Sequence, residues 1–440
     1  MIPTTTRGLG TLAVFLIVTG DNAPDSPRAA VASDGHGRSV TAPVCSLAVI
    51  SRTRIVLADG QVVHLAVQST ARQGRTILLA GMPSYTWPSG ASPGAAPQTR
   101  DSLVGVLVTD GREIRGVPNP LVGRAIAYAK VASAGRGAWH VMLSERLTIR
   151  EGHEQATDSA RLWYGRFDGR AWSDVASVGV VHGSFSAKEY TSDVVVDEAG
   201  VLAFAYPIDA QVGSTAISGV VLIRRVEHGW SADTLGKVLQ PRYTRLVPGP
   251  RPGEWTVLYV APFFENQRLI NSSLHAVVWS GRWDVPRVMV RAVERGVVNP
   301  RPFPLRAGLL LTWFRRAERT DSGTAPRIEW LMATSGTTHT SLRRPVIIGS
   351  NDYTATALGA DSVLWFARDG LSPDRVRVAA FGGDTIAALG TLRIRNETWL
   401  AAIGLPGHGV GLITSEVGKE PAEPPAAGIL TVVKPVCPTG

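Results

Sequence analysis

The stretch Asn351–Gly370, NDYTATALGADSVLWFARDG, constrains the fold more than any other part of the chain. It reads as a strand (Tyr353 to Leu358), a tight turn (Gly359-Ala360-Asp361) and a second strand (Ser362 to Ala367), with Gly or Asp at each reversal. Close versions are EYTSDVVVDEAGVLAFAY (Glu189–Tyr206) and RYTRLVPGPRPGEWTVLYV (Arg242–Val260). Looser ones are RPFPLRAGLLLTWF (Arg301–Phe314) and ETWLAAIGLPGHGVGLITS (Glu397–Ser415), with degenerate members around His64–Ala80 and Arg124–Val141. That makes roughly seven units, about 45 to 65 residues apart, the period of propeller blades. A second signature follows several hairpins: LWYGRFDGRAWSD (Leu162–Asp174), LIRRVEHGWSAD (Leu222–Asp233) and VVWSGRWDVP (Val277–Pro286). Each is a strand, a turn with Gly, and a Trp opening the next strand. Two hairpins per unit predict a four-stranded blade.

One such sheet cannot bury both faces alone, whereas stacking blades around an axis buries both. The expected fold is therefore all-β, a β-propeller of seven four-stranded blades, with six blades or a β-sandwich pair as alternatives. On this reading almost every Trp fills a gap between blades. The ring is expected to close through N- and C-terminal strands sharing one blade, with SLAVISRTRIVLAD (Ser46–Asp59) completing the last one.

The length of 440 residues suits one large propeller, and 46 Gly with 29 Pro supply its many turns. The net charge is +9, yet the cations are mostly scattered Arg without a Lys/Arg run, which argues against a nucleic-acid partner. Residues 1–20 carry Arg7 and an apolar run, LGTLAVFLIVTG, too short to span a membrane and right for a signal-peptide core. Cleavage is expected after Gly20, or after Ala32. Residues 21–42 read as a disordered linker and 43–440 as a single propeller domain. The expected location is secreted or periplasmic, with no membrane contact after cleavage; a retained tether is the alternative. Cys45 begins the folded region and Cys437 nearly ends the chain. A Cys45–Cys437 disulfide would pin the ring closure in an oxidising compartment, and two unrelated thiols are the alternative. Tyr85–Arg100 reads as a low-complexity loop with two aromatics, and Phe263–Ser273 as an insertion.

The phosphate loop, the HExxH zinc pattern and the GxSxG elbow are absent, so no cofactor and no metal are expected. The glycines of GLPGHGVG (Gly404–Gly411) lie between two strands and read as a turn. One constellation stands out. In a propeller the first strand of each blade lines the central channel, so residues at one end of those strands converge on one mouth. That position holds Glu189-Tyr190, Arg242-Tyr243, Arg301, Asp352-Tyr353 and Glu397, with His64 and Arg124 as candidates in the degenerate blades. Arg forks, phenols and carboxylates together can hold an anionic or polyhydroxylated ligand. A carboxylate pair could do acid–base work. Charges that simply pair across a water-filled channel are the plainer alternative.

The pairing of a hairpin such as Val201–Tyr206 with a YGRFDGRAWSD-type turn resembles the blades of secreted bacterial sialidase-like (BNR-type) propellers. Their Asp box, S-x-D-x-G-x-x-W, survives here only in degraded form. Asp168-Gly169-Arg170-Ala171-Trp172 keeps D-G-x-x-W, and Glu227-His228-Gly229-Trp230 keeps less. The resemblance implies a propeller scaffold. It also implies an Arg triad with Tyr, Glu and Asp partners, types that Arg124, Arg242, Arg301, Tyr353, Glu189 and Asp352 supply without a one-to-one alignment. The expected function is binding of a glycan, peptide or protein partner at the channel mouth. A sialidase-like glycoside hydrolase and a structural envelope protein are the alternatives.

Overall fold

The computed structural model describes residues 46–57, 62–64, 67–81, 85–87, 98–99, 103–124, 126–133, 137–148, 158–182, 192–212, 215–265, 268–290, 297–306, 308–315, 327–333, 346–347, 353–358, 362–368, 374–382, 385–394, 397–405, 409–416 and 428–436. They form seven four-stranded antiparallel sheets and one small three-stranded sheet. Blade 1 is β3 (Val67–Gln73), β4 (Thr76–Gly81), β7 (Leu103–Thr109) and β8 (Glu113–Pro118). Blade 2 is β9 (Ile126–Ser133), β10 (Trp139–Thr148), β11 (Asp158–Phe167) and β12 (Trp172–His182). Blade 3 is β13 (Asp193–Val196), β14 (Leu202–Val212), β15 (Thr215–Val226) and β16 (Gly229–Gly236). Blade 4 is β17 (Arg242–Pro248), β18 (Trp255–Glu265), β19 (Arg268–Trp279) and β20 (Arg287–Val290). Blade 5 is β21 (Val297–Leu305), β22 (Gly308–Arg315), β23 (Arg327–Ala333) and β24 (Val346–Ile347). Blade 6 is β25 (Tyr353–Ala357), β26 (Ser362–Arg368), β27 (Arg375–Gly382) and β28 (Thr385–Arg393). Blade 7 takes β29 (Glu397–Gly404), β30 (Val410–Glu416) and β31 (Gly428–Val436) from the C-terminal part and β1 (Ser46–Arg54) as its outermost strand.

The innermost strands touch in turn, β3 to β9, β13, β17, β21, β25 and β29, and β29 returns to β3, so the ring is closed. The hydrophobic cores lie between the sheets. Seven clusters of buried side chains occupy the seven gaps between neighbouring blades, including the gap where blade 7 meets blade 1. This is the consequence of strands apolar on both faces. In β18, Val257 and Tyr259 face blade 3 while Leu258 and Val260 face blade 5. Trp255, Trp313 and Trp365 fill three of these gaps at 0, 1 and 0 % exposure, as packing wedges. Truncating one such Trp costs about 3–5 kcal/mol.

Closure runs as expected. β1 pairs antiparallel with β31 from Ser46 opposite Val436 to Arg54 opposite Ile429, with one bulge between Val49 and Ser51. Cys45 and Cys437, like residues 1–42, where a leader and a linker are expected, lie outside the described residues. Two local expectations are corrected. The stretch expected to be a loop after Tyr85 contains β5 (Tyr85–Trp87) and β6 (Gln98–Thr99), which pair with β2 (Val62–His64) into the small sheet. Phe263–Ser273 is not an insertion, because β18 and β19 run on as one long hairpin to Glu265 and Arg268. Among the described residues no helix is long and apolar enough to cross a membrane.

Candidate functional site

All seven inner strands start at the same end of the ring, because each blade is antiparallel and is followed by another of the same order. That end is the channel mouth. The connections from second to third strand also emerge there. In blades 3 and 4 those hairpins continue well past the inner strand, to Val212 and Thr215 and to Glu265 and Arg268, and so wall one side of the mouth.

Five of the seven inner-strand pairings shift register near the mouth, which marks the shift as a built feature. The shifts fall between Val67 and Ser69, Ile126 and Tyr128, Arg242 and Arg245, Val298 and Arg301, and Thr398 and Ala401. Such bulges re-aim side chains at the rim of a sheet. Tyr243, inside one of them, has φ 52°, a left-handed conformation unusual for a side chain of this size. Just inside the bulges lies one ring of equivalent positions. In the five bulged blades these are Ser69, Tyr128, Arg245, Arg301 and Ala401, each the first residue paired after the shift, and Asp193 and Thr354 lie near the same end of the other two.

Side chains of this ring tie blade to blade. Ser69 Oγ donates to Val131 O and accepts from Val131 N, both at 3.2 Å. Ser192 Oγ donates to Tyr128 OH at 3.1 Å. Asp193 Oδ2 accepts the Leu246 N–H at 2.9 Å and its Oδ1 the Val194 N–H at 3.0 Å. Arg301 Nη1 donates to Thr354 Oγ1 at 3.3 Å. Two buried cations meet on one carbonyl. Lys130 Nζ reaches Ser192 O at 2.5 Å from blade 2, and Arg245 Nη1 reaches it at 3.5 Å from blade 4.

A second group sits on the same face, over the gap between blades 1 and 2. Arg124, just ahead of β9, sends Nη1 to both oxygens of Glu145, at 2.9 and 3.1 Å. Trp163 Nε1 donates to Glu145 Oε2 at 2.8 Å, and Arg161 lies 3.9 Å from the same oxygen. The Arg124 guanidinium stands over the Trp163 ring at 4.9 Å, a cation–π contact. Burial pushes the Glu145 carboxyl up, but the Trp163 N–H and the Arg124 and Arg161 guanidiniums outweigh it and hold the carboxyl below its ordinary value. Glu145 is thus an ionised anchor for Arg124 and not a proton donor.

Of the residues read from the sequence, Arg242, Tyr243 and Arg301 are half-buried at the mouth ends of β17 and β21. The register gives Arg301 the position of Arg245, and Arg242 lies three residues nearer the strand start, across the bulge. Tyr353 and Glu397 open β25 and β29. Glu189, Tyr190 and Asp352 lie outside the described residues. His64 is in β2 of the small sheet and not in an inner strand. Lys130, Glu145, Asp193 and Arg245 were missed. Lys130 had one signal, a lone cation in the apolar run AIAYAKVASA.

The better-kept Asp box turns out to be a brace on the face away from the mouth. Asp168 Oδ1 accepts the N–H groups of Arg170 and Ala171, at 2.7 and 2.8 Å, which closes the β11–β12 turn. Trp172 Nε1 then donates to Pro118 O of blade 1 at 2.8 Å. Among the described residues no group of three or more His, Cys, Asp or Glu is placed to hold a metal ion.

No family model matches the sequence, and no curated protein matches it. Solved structures do. The polysaccharide lyase Uly1 superposes with a TM-score of 0.51 at 10 % identity, over 87 % of this chain and 92 % of that one. The β-propeller domain of the Trilobed protease from Pyrococcus furiosus gives 0.45 at 8 % identity, over 84 and 95 %. The NanB sialidase from Streptococcus pneumoniae gives 0.42 at 8 %, over 90 and 99 %. At 10 % identity the likeness to Uly1 shows a shared fold alone.

Proposed function

We propose that this protein is a secreted or periplasmic β-propeller that binds a carboxylate-bearing glycan in the basin at the channel mouth. What supports the reading is the distribution of charge. Arg124, Lys130, Arg242, Arg245 and Arg301, from three blades, gather at one end of the axis. Two carboxylates there, Asp193 and Glu145, are already committed to backbone N–H groups and to Arg124 and Trp163. A ligand carboxylate matches the Arg fork, and sugar hydroxyls match the hydroxyls of the ring.

The second reading is a glycan-cleaving enzyme, favoured by the likeness to a polysaccharide lyase. A glycoside hydrolase needs two carboxyl groups across one cleft, about 5–10 Å apart, one of them raised in pKa to act as acid. Glu145, held below its ordinary value, does not suit the acid's role.

The test is a panel of acidic glycans, neutral glycans and peptides, offered to wild type and to an Arg242→Ala/Arg301→Ala double variant whose melting is checked first. Losing one charge-assisted contact costs about 1.5–3 kcal/mol, roughly ten- to hundredfold in affinity. The expected result is that loss for acidic glycans alone. Equal binding by both proteins rejects the basin. Sugar release that disappears in Glu189→Gln or Asp352→Asn, with folding intact, moves the reading to the enzyme.

A further inference from the structure

The face opposite the mouth carries a cluster that the basin does not use, in the groove between blades 2 and 3. His140 opens β10, Tyr164 and Arg166 lie near the end of β11, Asp174 near the start of β12, and Arg225 and Trp230 flank the β15–β16 turn. Tyr164 is buried at its floor. Its hydroxyl lies 2.9 Å from His140 Nδ1 and 2.9 Å from Arg225 Nη1. Arginine only donates, so the phenol oxygen accepts from Arg225, while the direction of the bond between the phenol and His140 Nδ1 follows the imidazole's tautomer. Arg225 is fixed from several sides. Its Nη2 lies 3.5 Å from Asp174 Oδ2, and its guanidinium stands over the rings of Tyr164 and Trp230, at 5.1 and 5.9 Å. Asp174 holds φ 54°, a strained conformation for a residue with a side chain. Arg166 pairs opposite His140 in the β10–β11 ladder and is exposed.

We infer that this groove is a second binding site, for an oxyanion (a sulfate, phosphate or carboxylate group), with Arg225 and Arg166 as donors and His140 taking up a proton as the anion binds. The charged groups facing His140 are Arg166 from β11, Asp174 from β12 and Arg225 from β15, with the Tyr164 hydroxyl between them. With His140 neutral these sum to one net positive charge. Desolvation by burial, then Arg166 and Arg225, hold the imidazole below its ordinary pKa, and Asp174 opposes them. An anion seated between the guanidiniums offsets their repulsion and favours the imidazolium. By linkage, a protonated His140 strengthens anion binding to the same degree. Asp174 is the resident competitor, since it already occupies the Nη2 side of Arg225.

The experiment uses the whole protein and measures binding of sodium sulfate, sodium phosphate and a uronic-acid oligosaccharide. It is run at pH 5.5 and 7.5, at ionic strength matched with chloride. Wild type is expected to bind sulfate several-fold tighter at pH 5.5. Arg166→Gln, an exposed site that leaves the packing alone, should weaken binding roughly tenfold at both pH values. Asp174→Asn should tighten it, since the competing charge is gone and Asn tolerates a left-handed backbone better. His140→Gln should erase the pH dependence. Inorganic-ion binding that Arg166→Gln weakens identifies a free-ion site, and oligosaccharide binding alone that Arg166→Gln weakens identifies a polymer-borne carboxylate; either supports the site. Unchanged binding in both Arg166→Gln and Asp174→Asn, or affinity independent of pH in wild type, overturns it. Loss of sulfate binding in Arg242→Ala overturns it too, by assigning the ion to the mouth.

Discussion

His140 and His275 illustrate what single residues contribute beyond packing. His140 leans on the Tyr164 hydroxyl, and His275 stacks on Tyr259 with centroids 5.1 Å apart and planes 5° off parallel. Burial lowers both imidazoles below their ordinary value. A histidine depressed in the fold binds protons more readily when unfolded. Its stabilising contribution is therefore complete above the ordinary histidine range and is lost as pH falls through the folded value. Glu145, also depressed, loses its contribution at still lower pH, in the same direction. Urea midpoints measured from pH 7.5 down to 4 should fall steadily, and His275→Gln should flatten the upper part of that curve. A midpoint that rises on acidification would count against the neutral imidazoles. At this scale the sequence was only partly legible. Arg242, Tyr243 and Arg301 could be placed at the mouth from the repeat alone. Lys130 could be noticed, but its acceptor, Ser192 O, is 62 residues away. Equating Arg301 with Arg242 was natural because each opens its repeat, yet the bulges insert residues that no spacing announces.

At the scale of elements, the inner hairpin of blade 3 is clamped to blade 4 by two carboxylates. Asp193 Oδ2 takes the Leu246 N–H, and Asp197 Oδ2 takes the Gly253 N–H at 2.8 Å while Oδ1 closes its own turn on Val201 N, also at 2.8 Å. Asp197 is buried, so Asp197→Ala strands two backbone donors and should cost about 1–3 kcal/mol per group in urea unfolding. Asp197→Asn should recover part of it. Blade 7 invites another measurement. Its outermost described pair is Ser46 opposite Val436, and the next residues outward are Cys45 and Cys437. Opposed residues of an antiparallel pair have Cα atoms about 4.5 or 5.5 Å apart, within disulfide range either way. Non-reducing peptide mapping of the mature protein should find the Cys45–Cys437 link. Two titratable thiols would exclude it, and with the link present Cys437→Ser should melt earlier. The strands were readable because alternation and turn residues mark them locally. The small sheet was not: Tyr85–Trp87 and Gln98–Thr99 are short, and Pro and Gly surround them. Their pairing to β2 is a long-range choice.

For the whole molecule, the cores between blades explain why the propeller was visible without an alignment. Each strand must be apolar on both faces, so Trp365, Leu364 and Phe366 run consecutively in a sheet that would otherwise expose one side. The fold stands on that pattern. The function does not, because the mouth is assembled from residues whose spacing reflects loops and bulges. The closed ring also sets an order of events. Among the described strands β1 is made first and its sheet neighbour, β31, last. Until residue 428 onward has been synthesised, β1 is an unmatched edge and blades 1 and 7 leave a shared apolar wall open to water. An incomplete chain therefore keeps that apolar seam exposed, and pairing of β31 with β1 covers it.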